Sequence, residues 1–143
     1  MNVQDILRSK GSTVITVTPD TTVGDLLDLL AEHQIGALVV SADGATVDGI
    51  VSERDVARAL AARGAGVLAE TVGQICTDDV FTAAPTAQVA DLRQVMTNGR
   101  FRHVPIVAGG RLHGIVSIVD VVKASLSELE SEREALSNYI LAG

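Results

Sequence analysis

Aromatic side chains are nearly missing from this chain. Among 143 residues there are two Phe, one Tyr and no Trp. Proteins that grip single-stranded nucleic acid stack its bases on aromatic rings, so that class is disfavoured. Positive charge is scarce too: 11 Lys and Arg face 18 Asp and Glu, for a net charge of −7. DNA and anionic membrane surfaces are held by basic patches, so neither is an expected partner. A small phosphate needs only a local basic cluster and stays open. One cysteine, Cys76, permits no intrachain disulfide and no cysteine-based zinc site. No apolar run approaches the ~18 residues of a membrane span. The opening MNVQDILRSK has neither the apolar centre nor the cleavage pattern of a signal peptide. The expectation is a soluble cytoplasmic protein.

What the chain does have is 47 % apolar residues, enough for a core of Val, Leu, Ile and Ala. It is also written twice. Residues 49–56 read GIVSERDV and residues 114–121 read GIVSIVDV, identical at six of eight positions with an offset of 65. Val23–Leu26 pairs with Val89–Leu92, and Thr18–Pro19 with Ala84–Pro85, at 66; Val3–Ile6 pairs with Val72–Ile75 at 69. The drifting offset places small deletions in the second copy's loops, where they cost least.

Each copy shows the same coarse order. A β-branched run (Thr13–Val17; Val80–Thr82) precedes a proline turn. An amphipathic helix follows, carried by Val23, Leu26, Leu27, Leu30 and Ala31, and by Val89, Leu92, Val95 and Met96. Two short strands come next (Ala37–Val40 and Gly49–Ser52; Val104–Val107 and Gly114–Ser117), joined through Asp43–Gly44 and Gly109–Gly110. A second helix closes the copy. The expected fold class is α+β: two β-α-β-β-α repeats, at 1–60 and 72–126, joined by a Gly-containing linker at 61–71. Some 55 residues are marginal for an independent core, so the copies should pack on each other, sheet to sheet, with pseudo-twofold symmetry. A helical extension occupies 127–143. Val119, Val122, Leu126, Leu129, Arg133, Leu136 and Ile140 form a heptad seam broken by one Arg, which either covers the parent domain or pairs with a partner's tail.

The repeated Gly-Ile-Val-Ser-x-x-Asp admits two readings. Ser52 with Asp55, and Ser117 with Asp120, have the spacing of a helix capping box. The same geometry puts free N–H groups and a hydroxyl where a phosphate can bind, beside a carboxylate able to accept two ribose hydroxyls. Arg102 and His103 are either a solvated loop or a phosphate contact. His33 and His113 read as surface residues, and His103 lacks a ligand-spaced partner, so no metal is expected. Cys76, beside Ile75, reads as buried and inert. No nucleophile-elbow, Walker or zinc-protease motif occurs, and no catalysis is expected.

These repeats resemble the cystathionine-β-synthase (CBS) domain, which occurs as tandem pairs called Bateman modules. The resemblance rests on GIVSERDV and GIVSIVDV, with TPDTTVGDLLDLLAEHQIGALVV and TAQVADLRQVMTNGRFRHVPIV before them, and covers about 3–126. Ser52–Asp55, Arg102–Pro105 and Asn138–Ile140 also resemble stretches of stand-alone CBS-pair proteins of bacteria and plants. The family implies binding of an adenosyl ligand (AMP, ADP, ATP, NAD or S-adenosylmethionine) in two clefts between the copies, with no cofactor. By position, one cleft would use Asp120 for ribose, Ser117 beside ribose or phosphate, and Ile115 against the base. Thr13 to Ile15 and Ile35, Gly36 and Ala37 would line the adenine edge, and Arg102 and His103 would face phosphate. The second cleft would use Ile50, Ser52, Arg54 and Asp55 with Val80, Phe81 and Phe101. Val39 stands where the other copy has Pro105, and Gly36 where a small polar residue is common, so the clefts are not equivalent. The implied function is an adenine-nucleotide sensor, working as a homodimer and signalling to an unknown regulated protein. The rivals are a ligand-free dimerising adaptor and a redox or stress regulator acting by protein contact.

Overall fold

The computed structural model describes residues 1–11, 14–99 and 101–142. The elements run α1 (Val3–Lys10), β1 (Thr16–Val17), α2 (Val23–His33), β2 (Ala37–Val40), β3 (Gly49–Ser52), α3 (Glu53–Arg63), α4 (Val72–Ile75), α5 (Val89–Gly99), β4 (His103–Ala108), β5 (Arg111–Ser117) and α6 (Ile118–Ala142). Strand β1 lies parallel to β2, which pairs antiparallel with β3; β4 and β5 form the second, antiparallel sheet. The α+β architecture of two repeats and a C-terminal helix is as the sequence implies.

Helical periodicity selects the buried faces. Val23, Leu26 and Leu30 of α2 are buried, as are Val89, Leu92 and Met96 of α5, each triplet spaced 3 and 4. The Gly109–Gly110 loop turns β4 into β5 with both residues at positive φ (59° and 74°), as a two-residue hairpin requires. The other loop is longer. It is held by Asp43, whose carboxylate accepts from the N–H groups of Ala45 and Thr46 and from the hydroxyls of Ser41 and Thr46. Those four bonds hold its carboxyl well below the ordinary range.

The two cores are each built from both copies. Val3, Ile6 and Leu7 of α1 pack with Val89, Leu92, Met96, Val104, Ile106, Val116 and Val121 of the second copy. Val72 of α4, with Ile75 and Cys76, packs with Val23, Leu26, Leu38 and Val51 of the first. Backbone hydrogen bonds repeat the exchange with near symmetry. The N–H of Val3 donates to Ala87 and that of Val72 to Thr21; Gln4 donates to Pro85 and Gly73 to Pro19; Val89 donates to Met1 and Val23 to Glu70. The copies are therefore joined by helix exchange, because a 55-residue copy gains apolar partners for its core from the other.

Three further local expectations are corrected. Val80–Thr82 is not a strand; the second copy's counterpart of β1 is a single bridge at Ala83, bonded to Pro105 and Val107. The first strand is Thr16–Val17 rather than Thr13–Val17, and Thr13 lies outside the described residues. Residues 61–71 are not a plain linker. Helix α3 runs to Arg63, a 3₁₀ turn spans Ala65–Ala69, and Val67 is buried in the first core, an anchor that Gly64 and Gly66 mask in the sequence.

Helix α6 rests on the second core through Ile118, Val121 and Ala124 only, and every described residue from Leu129 onward is exposed. Its last 14 residues, about 21 Å of helix, do not cover the parent domain. The heptad seam faces away from the core, with Leu126, Leu129, Leu136 and Ile140 each 55–67 % exposed. No described helix is long and apolar enough to cross a membrane.

The glycines opening the two GIVS motifs explain how the exchanged helices fit. A Cβ on Gly49 would lie 2.9 Å from the Thr77 carbonyl oxygen and 3.1 Å from Cys76 Sγ. A Cβ on Gly114 would lie 2.7 Å from Leu7 Cδ2. At Gly49 the obstacle includes backbone, whereas at Gly114 it is the end of a flexible side chain. Gly49→Ala should therefore destabilise by about 1–3 kcal/mol, as overpacking does, and Gly114→Ala by less. Urea unfolding of both variants checks the order, and a more damaging Gly114→Ala would contradict this packing.

Candidate functional site

Both Ser-x-x-Asp motifs form the helix start that their spacing implies. At α3 the backbone N–H and the hydroxyl of Ser52 donate to Asp55 Oδ2, at 2.8 and 3.1 Å, while the Asp55 N–H donates to Ser52 Oγ at 3.2 Å. At α6 the Ser117 N–H donates to Asp120 Oδ2 at 2.8 Å and the Asp120 N–H donates to Ser117 Oγ at 3.1 Å. In both, the protein bonds converge on Oδ2. Oδ1 has no protein donor among the described residues, so one lobe of each carboxylate can accept a hydroxyl.

Each carboxylate lines a cavity between the copies. The Asp120 cleft holds about 440 Å³ and the Asp55 cleft about 330 Å³. In the first the structure gathers Ile15, Ile35, Gly36, Ala37, His103, Ile115, Ser117 and Asp120 from the expected set. In the second it gathers Ile50, Ser52, Arg54, Asp55, Val80, Phe81 and Phe101. Arg102 departs from expectation: it lines the Asp55 cleft and not the Asp120 cleft. Arg102 sits in the bend before β4, beside Phe101 of the Phe81–Phe101 stack in the Asp55 cleft, so the loop and not strand alternation sets its direction. His103, Gly36 and Ala37 line both cavities and form the wall they share.

Several lining residues were missed from sequence. The Asp120 cleft adds Lys10, Gln34 and Val119; the Asp55 cleft adds Glu53, Arg58, Thr77 and Asp79. Arg58 was findable, since it lies four residues after Arg54 on the same helical face. Lys10 was not, because only folding brings α1 against β5 and α6. Its Nζ donates to Asp120 Oδ2 at 2.7 Å and to the Ile115 carbonyl at 2.8 Å.

The electrostatics of the clefts differ. Burial alone would raise the Asp120 carboxyl, but the bonds from Lys10 and Ser117 outweigh it and hold the group below its ordinary value. His103 is pushed below its ordinary 6.5, first by burial and then by the charge of Lys10, against the opposing pull of Asp120 and Glu53. The imidazole is therefore neutral at pH 7. Six charged side chains line the Asp55 cleft: Glu53, Asp55 and Asp79 against Arg54, Arg58 and Arg102. Phe81 and Phe101 stack there with centroids 5.6 Å apart and planes 8° from parallel. A Cβ at Gly99 would lie 2.5 Å from the Phe101 ring, so the absence of a side chain there makes room for it. Cys76 is half-buried rather than buried as expected, and its thiol is raised by that burial and then by Asp78, which favours the protonated form.

Two pseudo-symmetric clefts, each floored by a capped helix start and walled by the other copy, define a tandem-repeat pair with paired inter-repeat sites. The chain belongs to the CBS domain family, whose profile matches residues 3–62 and 72–127. It is 34 % identical to the mitochondrial CBS domain-containing protein CBSX3 of Arabidopsis thaliana, over 99 % of this chain and 72 % of that protein. Its fold matches the CBS-domain containing protein ATU1752 of Agrobacterium tumefaciens, with a TM-score of 0.83, 45 % identity and coverage of 87 % and 99 %. Two further structural relatives were solved with ligands. The CBS domain pair of MJ0100 is in complex with 5'-methylthioadenosine and S-adenosyl-L-methionine (TM-score 0.78, 26 % identity, coverage 90 % and 98 %). CBSX2 is in complex with AMP (TM-score 0.72, 28 % identity, coverage 88 % and 96 %).

The depressed His103 carries a pH signature. Its neutral form is favoured in the folded chain, so the unfolded chain takes the proton first as pH falls. The stability it contributes is full above the ordinary 6.5 and is lost as pH falls from there through the lower value of the folded chain. Urea midpoints measured at about pH 7.5 and about pH 5.5 should fall for the wild type and fall less for His103→Gln. A wild-type midpoint that rises over this interval would overturn the assignment.

Proposed function

We propose that this chain is a regulatory module that senses an adenosyl ligand, AMP foremost, and is not an enzyme. The observation that carries the reading is the pair of capped carboxylates, each lining an inter-repeat cavity and each with Oδ1 left for a ribose diol. A cavity of about 440 Å³ lies in the usual range for small-molecule sites. Ile115, Ile35 and Ile15 line it as apolar surface for a base, with backbone groups of Gly36 and Ala37 beside them. The Asp55 cleft offers three guanidinium groups suited to phosphate. The AMP and S-adenosylmethionine held by the structural relatives support an adenosyl ligand.

Signalling needs a second state that the ligand favours. Val119 both lines the Asp120 cleft and begins the exposed seam of α6, so a ligand in that cleft touches the surface a partner would read. We assign that surface to a second copy of the chain, which makes the working form a cytoplasmic homodimer acting on a further regulated protein. A buried Leu or Ile contributes about 1.5–3 kcal/mol, so four exposed ones on one stripe favour coverage.

Calorimetric titration with AMP tests the ligand. Asp120→Ala should weaken binding by about 1.5–3 kcal/mol, the range for hydrogen bonds to a charged group, in a variant that still melts cooperatively. Unchanged affinity would remove Asp120 from the site, and no AMP binding by the wild type would favour the adaptor reading.

Deletion of 127–143 tests the seam separately. Light scattering should give a smaller assembly than the full chain, with AMP binding kept. The same mass for both forms would exclude the tail as the self-association surface.

A further inference from the structure

We infer that Lys10 is the ligand-discriminating group of the Asp120 cleft: it holds the ribose-accepting carboxylate and selects ligands carrying an anionic group over neutral nucleosides. The inference rests on the adenosyl reading given above and adds the charge class of the ligand.

The two copies differ in how far their first helix runs. Residues 3–6 correspond to 72–75, but α4 stops at Ile75 while α1 continues a further turn to Lys10. That extra turn carries an ammonium across to β5 and the start of α6. There it bonds Asp120 Oδ2 at 2.7 Å and the Ile115 carbonyl at 2.8 Å. Asp55 has no such partner: its carboxylate is bonded by Ser52 alone among the described residues. The third N–H of Lys10 has no protein acceptor among the described residues, and the side chain lines the cleft.

Its charge is the decisive one locally. Arg102 lines the other cavity, and His103 is neutral at pH 7. Among the described residues Lys10 is thus the single permanent cation lining the Asp120 cleft. A neutral nucleoside that draws Asp120 to its ribose must share the carboxylate with the ammonium and offers no anion in exchange. A phosphate supplies charged acceptors for the unassigned N–H, and for two of the three if Lys10 leaves Asp120. The Asp55 cleft, with Arg54, Arg58 and Arg102, makes its own discrimination without Lys10.

The experiment compares AMP with adenosine in calorimetric titrations of the full chain carrying Asp55→Ala, which leaves the Asp120 cleft as the intact site. Adding Lys10→Met should lower AMP affinity by about tenfold or more, the scale of one charge-assisted hydrogen bond. Adenosine affinity should hold or rise, so the AMP-to-adenosine ratio shrinks at least tenfold. Lys10→Arg should keep most of the ratio. The Lys10 side chain is 36 % exposed, so a folded variant is expected, and Lys10→Gln repeats the test with a polar replacement. An unchanged ratio in both variants, with AMP binding still dependent on Asp120, overturns the role of Lys10 and leaves the adenosyl reading standing. Failure of both AMP and adenosine to bind the wild type overturns the two together.

Discussion

The reciprocal exchange of the first helices is the interaction on which the rest of this structure depends. Neither copy holds enough apolar surface to close a core of its own. Val3, Ile6 and Leu7 therefore complete the core of the second copy, and Val72 with Ile75 that of the first. Matched backbone bonds from Val3 to Ala87 and from Val72 to Thr21 seat the two helices in the same way. Because each helix crosses to the other copy, the copies cannot separate without opening both cores.

That constraint also makes the clefts. The exchanged helix ends beside the start of the opposite copy's last helix, and the space between them is the cavity. Gly49 and Gly114 admit the approach: one faces Cys76 and Thr77, the other Leu7. The same Gly-Ile-Val-Ser-x-x-Asp stretch thus has three duties. Its glycine receives the crossing helix, its alternating residues divide between core and cleft wall, and its Ser and Asp cap the helix that floors the site. The capping and ligand readings of Ser-x-x-Asp are compatible because the cap engages Oδ2 and leaves Oδ1 open.

Pseudo-symmetry is broken where the chemistry is. The length difference between α1 and α4 puts a lysine on Asp120 and none on Asp55. Charged pairs crowd the smaller cleft, while apolar side chains and one ammonium line the larger. His103 stands in the common wall, neutral because of burial and the neighbouring Lys10, so the charge state of one cleft is felt at the edge of the other.

Much of this was legible in the sequence because it is local. Periodicity identified the buried faces of α2 and α5, since a 3.6-residue repeat shows on one helix without knowledge of its neighbours. The capping pairs Ser52–Asp55 and Ser117–Asp120 were readable from their spacing, and the family followed from motifs written twice. Contacts between distant parts of the chain were not readable. Lys10 and Asp120 lie 110 residues apart, and nothing about a lysine after an amphipathic turn says which carboxylate it will meet. Arg102 was assigned to the wrong cleft because the direction of a side chain in the bend before a strand depends on how that loop packs, which the local sequence does not show. Val67 was hidden just after two glycines, and a single bridge at Ala83 replaced an expected strand. The sequence alone determined the class of fold, the helix starts and the residues able to meet a ligand. Only the tertiary structure decided which copy completes which core, and which charge stands in which cleft, because both depend on the crossing of two helices whose partners lie far away along the chain.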